Sequence, residues 1–161
     1  MAPGVLRNPD DRQFLKPDDM PKALQDYCRK TEQPISETPG QRVRCALESL
    51  ALKYRMVLGW LKELTGVRVE VVHIVGGGTR NEILNPFTAN ACNRPVITGP
   101  TEATDFGNVL MQARTAGEIA SLTDLRRIVR VSSDVKNYEP ADRDAWRTAT
   151  GRFLDLLSRS L

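Results

Sequence analysis

The chain is poor in the residues that build metal sites and disulfide frameworks. Its 161 residues contain one histidine, His73, and three cysteines, with no C-x-x-C pair among them. A side-chain zinc site needs about four such ligands, so the sequence argues against one. Cys28 and Cys45 are predicted to lie on two consecutive helices, and a disulfide between them is a minor hypothesis because cytosolic thiols are kept reduced.

Long apolar runs and blocks of one charge sign are absent as well. No apolar segment approaches the roughly 20 residues of a membrane helix, and the amino terminus lacks the pattern of a secretory signal peptide. The 23 basic and 20 acidic residues give a net charge of +3, spread along the chain. The densest basic cluster, Arg126, Arg127 and Arg130, alternates with apolar residues as on a solvated helix face. The sequence therefore predicts a cytoplasmic protein with neither a membrane nor a nucleic acid as its partner.

Prolines and glycines divide the first half of the chain. Residues 1–18 contain three prolines and several aspartates, which predicts an extended lead-in segment, followed by one further domain over residues 19–161. A helix is predicted from Asp18 or Asp19 to about Lys30. The strongest helical periodicity of the chain then runs from about residue 41 to residue 65, and predicts a long amphipathic helix that ends at Gly66.

One face of this long helix is predicted to pack on the core, with Trp60 as a further packing residue. Its apolar positions are Val43, Ala46, Leu47, Leu50, Tyr54, Val57, Leu58, Leu61 and Leu64.

The middle of the chain predicts a strand over residues 68–75, a helix over 80–92 and a second strand over 95–98. Such a unit has parallel strands and a right-handed crossover. Helices are also predicted from residues 102–104 to about 116, over 122–129 and over 140–161. Within the first of these, Gly107 is costly, and close helix packing or backbone approach is the expected reason. Two strands are too few for an independent sheet, so the chain is expected to belong to something larger.

The most informative stretch is residues 71–81, an apolar strand that ends on three glycines and leads into a helix. Thr79 and Glu82 have the spacing of a capping box, which predicts that the helix begins directly after the glycines. Glycines at a strand-to-helix turn let a ligand approach the backbone, and the amides of the helix start bind phosphate. The alternative is a tight turn that binds nothing. The spacing matches neither the dinucleotide fingerprint nor the P-loop.

The glycine turn and the residues after it resemble the second signature of the FGGY carbohydrate kinases. The matching strings are GGGTRN at 76–81, ANAC at 89–92, RPV at 94–96, GP at 99–100, EA at 102–103 and GN at 107–108. Within the family, the branch that acts on L-rhamnulose is the most similar, through matches at 8–11, 14–15, 17, 20, 73–78 and 99–103. The resemblance extends over nearly the whole chain. It implies an α/β, helix-rich fold: part of a ribonuclease H-like, actin-like ATPase domain, with a βαβ unit and the long amphipathic helix.

Carried over position by position, the resemblance implies that Gly76, Gly77 and Gly78 lie against the adenosine and its nearest phosphate, with Asn81 near the adenine or ribose. Glu102 and Gly107 are instead expected to support the second strand and its helix, and His73 to pack within its strand. Where the family commonly has Gln and Asp, this chain has Pro86 and Asn90. Proline is expected to kink or shorten the helix there.

The implied reaction converts L-rhamnulose and MgATP into L-rhamnulose 1-phosphate and ADP, with L-fuculose or L-xylulose as alternative ketoses. No catalytic residue is assigned, because the family's catalytic aspartate, phosphate loops and sugar-binding domain precede the region that matches. Mg²⁺ would be held mainly by the nucleotide phosphates and by residues outside this chain. The chain alone is therefore expected to bind ATP or ADP weakly and to be inactive.

Two other functions remain as alternatives from the sequence. A non-catalytic helical module would present Leu50, Tyr54 and Leu61 of the long helix to a partner protein. A dinucleotide-binding domain would use Glu102 as the acidic residue about 20 positions after the glycines, although the glycine spacing is wrong for it.

Overall fold

The computed structural model describes residues 3–159, in which six α-helices surround a three-stranded sheet. The helices are α1 (Met20–Lys30), α2 (Pro39–Thr65), α3 (Leu84–Cys92), α4 (Ala103–Thr115), α5 (Leu122–Ser132) and α6 (Arg143–Ser158). The strands are β1 (Val72–Ile74), β2 (Val96–Thr98) and β3 (Lys136–Tyr138), and short 3-10 helices form at Arg12–Phe14 and Gly76–Arg80. None of the described helices is long and apolar enough to cross a membrane.

The sheet has the order β1-β2-β3 and is mixed. β1 and β2 are parallel, with His73 opposite Ile97, and α3 is the crossover between them, as the sequence predicts. β3 is antiparallel to β2, with Asn137 opposite Ile97. β3 is not predicted from the sequence, because its three residues are polar or half-exposed and show no apolar alternation.

The extended lead-in segment packs into the main core. Leu6 is only 1% exposed, in a cluster with residues of α1, α2, α3 and α6. Side chains of the two following helices satisfy its backbone: Tyr27 Oη accepts from Asn8 N at 2.9 Å, and Ser49 Oγ accepts from Arg7 N at 2.9 Å. Residues 3–8 form no helix or strand, a 3-10 helix follows at Arg12–Phe14, and the segment packs in the same core as the rest of the chain.

Side chains cap the first two helices where the sequence places their starts. Asp19 accepts from Lys22 N at 2.9 Å and begins α1. Thr38 and Gln41 form a complete capping box at the start of α2, which therefore begins slightly earlier than predicted. Gly66 ends α2 as predicted, in the left-handed conformation that glycine adopts most readily.

The apolar face that the sequence predicts as the core side of α2 is not the buried face, because five of its nine residues are half-buried and the other four are exposed. The positions with almost no exposure are Cys45, Glu48, Ser49, Ala51 and Leu52, whereas Leu64 is 83% exposed and Trp60 is 48% exposed. Length explains the exposure at the carboxyl end of the helix, because α2 has 27 residues and α3, which packs along it, has only 9. The outer turns of α2 therefore extend beyond α3. Trp60 is not a packing residue; its ring instead lies 4.9 Å from the Lys53 ammonium.

Three further expectations are corrected. α3 begins at Leu84 and not near residue 80, so Pro86 lies in the first turn. The backbone N–H groups of a first turn have no acceptor within the helix, so proline breaks no helical hydrogen bond there. Of the two outcomes expected from that proline, the structure has the shorter helix. A side-chain carbon at Gly107 would meet no described atom within 4 Å, so nothing in the described chain requires that glycine. His73 is exposed and does not pack inside its strand.

All three cysteines are buried free thiols, so no disulfide joins Cys28 and Cys45. Burial raises the pKa of Cys45 to about 12 and that of Cys92 to about 11. These thiols are protonated at neutral pH and act as small apolar side chains.

Candidate functional site

The three glycines lie where β1 ends, and the adjoining end of β2 holds them. Gly99 N donates to Ile74 O at 2.9 Å, and Gly76 N donates to Pro100 O at 3.0 Å. From Gly76 the backbone winds into a 3-10 helix that ends at Arg80. The turn therefore stands at the carboxyl ends of two parallel strands, the edge at which α/β sheets bind their ligands.

Each glycine of the turn has a different local environment. Gly76 has a positive φ, a backbone conformation that favours glycine. A side-chain carbon at Gly78 would lie 3.2 Å from Ile74 Cγ2. Gly77 has an ordinary φ, is exposed, and has open space where a side chain would be. The fold thus explains Gly76 and Gly78 but leaves Gly77 unexplained.

Two threonines fix the shape of the turn. The Thr79 hydroxyl donates to Gly76 O at 2.8 Å and lies 2.9 Å from the Thr101 hydroxyl. Because a hydroxyl has one proton to donate, Thr101 is the donor in the second bond. Thr79 O in turn accepts from the fully buried Asn85 Nδ2 at 3.0 Å. The backbone around Gly77 is therefore held in place before any ligand arrives.

Asn81 has a structural role that the sequence analysis missed. Its Oδ1 accepts from Leu84 N at 2.9 Å and so satisfies one of the free amides at the start of α3. Its Nδ2 makes no hydrogen bond within the described part of the chain, and this donor is what a purine or ribose acceptor would use. The motif resemblance indicated the ligand role, but no local spacing rule identified the cap.

The predicted capping box of Thr79 and Glu82 does not form. Thr79 bonds to Gly76 and Thr101, and Glu82 instead accepts from Lys136 Nζ of β3 at 2.8 Å. This hydrogen bond lowers the pKa of Glu82 and raises that of Lys136. Because several residues separate the glycines from α3, the turn is a longer loop than the sequence suggests.

Glu102 contacts the turn and not, as expected, the second strand and its helix. Its Oε1 lies 3.2 Å from Arg80 Nη2, so the residue before α4 is paired with the last residue of the 3-10 helix. Both side chains are exposed, and such a pair contributes at most about 1 kcal/mol to stability.

A cavity of about 460 Å³ adjoins the turn, but it is not the predicted nucleotide surface. It lies between α2, β1 and α3, and Gly78 is the only one of the four predicted site residues that lines it. Its walls are mostly apolar, with Tyr54, Val57 and Leu58 on the α2 side. Gly77 and Asn81 lie outside its lining, so the turn and the cavity are two separate features.

Residues 1–116 match the model of the carboxyl-terminal domain of the FGGY family of carbohydrate kinases. The chain belongs to the FGGY family. It is 49% identical over 148 residues to a protein of Bacteroides thetaiotaomicron named rhamnulokinase, covering 92% of this chain and 30% of the relative. It is 40% identical over 137 residues to a rhamnulokinase of Bacillus subtilis, covering 85% of this chain and 28% of that relative. The chain thus spans about three tenths of the length of these relatives.

Solved structures of sugar kinases share this FGGY fold. A xylulose kinase from Rhodospirillum rubrum superposes with a TM-score of 0.59 at 20% identity, over 78% of this chain and 26% of that one. A gluconate kinase from Lactobacillus acidophilus gives 0.59 at 12% identity, over 90% of this chain and 35% of that one. The predicted actin-like ATPase fold is confirmed, and in this chain it takes the form of helices around a small mixed sheet.

Proposed function

We propose that this chain supplies the adenosine side of the ATP cleft in a rhamnulose kinase, with Gly76, Gly77, Gly78 and Asn81 as the nucleotide contacts. The observation that carries the proposal is Gly77, which neither its φ nor any neighbouring described atom requires to be glycine. A flat nucleoside lying against the backbone would require it. The carboxyl edge of two parallel strands is also where such a ligand is expected.

The test is nucleotide-induced thermal stabilisation of this chain. We expect MgADP to raise the unfolding midpoint in a concentration-dependent way, because only a site on the folded state shifts it. In the Gly77→Val variant the new side chain occupies the nucleoside position, so this shift should disappear. Gly151→Val is the matched control, since Gly151 is an exposed glycine of α6 with equally open space around it. An unshifted midpoint for the unsubstituted chain, or an equal shift in Gly77→Val, would contradict the proposal.

The substrate proposal rests on the two relatives named rhamnulokinase. The whole enzyme would transfer the terminal phosphoryl group of MgATP to L-rhamnulose, giving L-rhamnulose 1-phosphate and ADP. Selection between this sugar and L-fuculose or L-xylulose would lie in the part of the kinase that this chain does not cover. The described residues contain no group of three or more His, Cys, Asp or Glu placed to hold a metal, so Mg²⁺ would depend on the phosphates and on residues beyond this chain.

The chain alone is proposed to be inactive, because the family's catalytic aspartate and phosphate loops precede the region that this chain matches, and three of its own aspartates have structural partners. Asp10 pairs with Lys53 at 2.5 Å, Asp11 accepts from Gln13 N at the first 3-10 helix, and Asp19 caps α1. Phosphoryl transfer needs a base and groups that grip the phosphates. Incubation of the purified chain with MgATP and L-rhamnulose should release no ADP above the rate without sugar. Sugar-dependent ADP release would refute this part of the proposal.

The alternative function from the sequence, a non-catalytic interaction module, agrees with one observation. The outer end of α2 exposes Leu61 and Leu64, as a helix does when a partner is missing. An exposed end is equally expected from a partial kinase. The thermal shift with MgADP separates the two functions, since an interaction module has no reason to bind nucleotide.

A further inference from the structure

A basic cavity of about 200 Å³ lies between the second half of α2, the segment before β1 and the end of α3. Half of its lining residues are cationic, namely Arg55, Lys62, Arg68 and Arg94, and none of the other described residues that line it is acidic. Because Arg68 precedes β1 and Arg94 precedes β2, the basic cavity stands at the amino ends of these two strands. The glycine turn follows β1 at its other end, so the two features are separate.

Main-chain oxygens hold two of these cations, Arg55 and Arg94, in place. Both residues are half-buried. Arg55 Nη1 donates to Ala91 O at 2.7 Å, close to the carboxyl end of α3. Arg94 Nε donates to Val69 O at 2.8 Å, and its Nη1 donates to Asn93 O at 2.6 Å. A guanidinium has more N–H donors than these bonds use, so both groups keep donors for a ligand. Because the two side chains are already ordered, an anion that binds them pays little of the usual entropy cost.

The charges around the basic cavity do not balance. Glu70 is paired with Arg68, with Oε1 at 3.2 Å from Nε, and both side chains are exposed. Lys62 makes no ion pair within the described part of the chain. The carboxyl ends of α2 and α3 each contribute about half a negative charge, so four cations against one carboxylate leave an excess of about two positive charges. Neutralising the helix ends therefore accounts for only part of this cluster.

We propose that the basic cavity is a binding site for a phosphate dianion, separate from the proposed nucleotide contacts. A phosphate monoester carries a charge of about −1.5 to −2 at pH 7, which matches the excess of positive charge. Arginine binds phosphate oxygens through paired N–H groups, and lysine adds a compact point charge. At roughly 30 Å³ per water, the cavity has room for about six waters, so a phosphate group fits. Inorganic phosphate and the phosphate group of a sugar phosphate share this chemistry.

Thermal unfolding of this chain in inorganic phosphate tests the site. We expect about 10 mM phosphate to raise the unfolding midpoint by about 3 °C relative to sodium chloride of equal ionic strength, because the dianion binds the folded state. Lys62→Gln combined with Arg68→Gln should abolish this shift, since the excess of positive charge is then gone. Both side chains are exposed, so this double variant should still fold.

The matched control is Arg126→Gln combined with Arg130→Gln, which removes two exposed cations from α5 and should keep the full shift. An equal shift in the two double variants would overturn the proposal. Equal stabilisation of the unsubstituted chain by sodium chloride would overturn it as well.

Nuclear magnetic resonance locates the bound anion. In nitrogen–proton correlation spectra, the Nε–H signals of Arg55 and Arg94 should move progressively as phosphate is added. The indole N–H of Trp146, which is buried in the main core, should stay in place. Movement of the Gly77 amide without movement of the two arginine signals would place the anion at the glycine turn and refute the proposal. Gly77→Val should keep the thermal shift with phosphate, so failure of the nucleotide proposal would leave this test unaffected.

A titration with L-rhamnulose 1-phosphate distinguishes the two sources of the dianion. A sugar phosphate whose hydroxyl groups also contact the basic cavity should reach the half-maximal thermal shift at an about 10-fold lower concentration than inorganic phosphate. Equal concentrations would assign the site to the phosphate group alone. In both cases the double variant of Lys62 and Arg68 should lose the shift. If neither compound shifted the midpoint of the unsubstituted chain, the proposed site would be refuted.

Discussion

At the scale of single residues, the glycine turn shows that neighbouring positions can be glycine for different structural reasons. The positive φ favours glycine at position 76, and the nearby Ile74 side chain favours it at Gly78. At Gly77, nothing in the described chain favours glycine over a larger residue. The sequence predicts a ligand-binding turn from all three together. Only the structure separates Gly76 and Gly78, where the local geometry favours glycine, from Gly77, where it does not.

This separation gives a stability prediction for Gly76 and Gly77. Gly76 has a positive φ, at which alanine is strained. Gly76→Ala should therefore lower the free energy of unfolding by about 1 kcal/mol or more. The site of Gly77 is open and its φ is ordinary. Gly77→Ala should accordingly be close to neutral. Urea denaturation of the two variants measures both values. If Gly77→Ala were the more destabilising, the assignment of Gly77 to ligand contact would lose its basis.

At the scale of elements, the sequence predicts structure well where a local chemical signal exists. Asp19, Thr38 with Gln41, and Gly66 set helix ends within a few residues of their predicted positions. β3 has no such signal and was missed. The start of α3 was misplaced because Thr79 has the spacing of a capping residue, yet its hydroxyl bonds to Gly76 and Thr101. Spacing shows which bonds are available, but tertiary neighbours decide which of them form.

The cap that does form, at Asn81, allows its structural and ligand roles to be separated. Asn81→Ala removes the acceptor of Leu84 N. That loss should cost about 1 kcal/mol of stability. Asn81→Asp keeps an oxygen acceptor at the helix start and should be nearly neutral. Both variants lose the Nδ2 donor, so both should weaken MgADP binding. Denaturation and nucleotide titration of the pair give the two readouts, and normal MgADP affinity in Asn81→Asp would exclude the ligand role.

At the scale of the whole molecule, the chain has two different sides. On the core side the apolar residues are buried, and on the open side backbone groups and apolar residues lack neighbours. The lead-in segment, α1, the first half of α2 and α6 enclose a common core. The edge of β1 opposite β2, the cavity of about 460 Å³ and the outer end of α2 lack neighbours among the described residues. The sequence indicates through its strand count that packing neighbours are missing, since two predicted strands cannot form a typical sheet. It could not show which surface lacks neighbours, because the apolar stripe of α2 continues unchanged from its half-buried positions to its exposed ones.

The core side should unfold as one unit that includes the lead-in segment. Leu6 is 1% exposed within the main core, and Leu15, in the same segment, is 87% exposed. Leu6→Ala should therefore lower the free energy of unfolding by about 3 kcal/mol, through lost burial and the resulting cavity, whereas Leu15→Ala should be nearly neutral. Urea unfolding followed by tryptophan fluorescence and by circular dichroism should give coincident transitions for both variants. Should Leu6→Ala cost no more than Leu15→Ala, the lead-in segment would be an appendage and the core would begin only at α1.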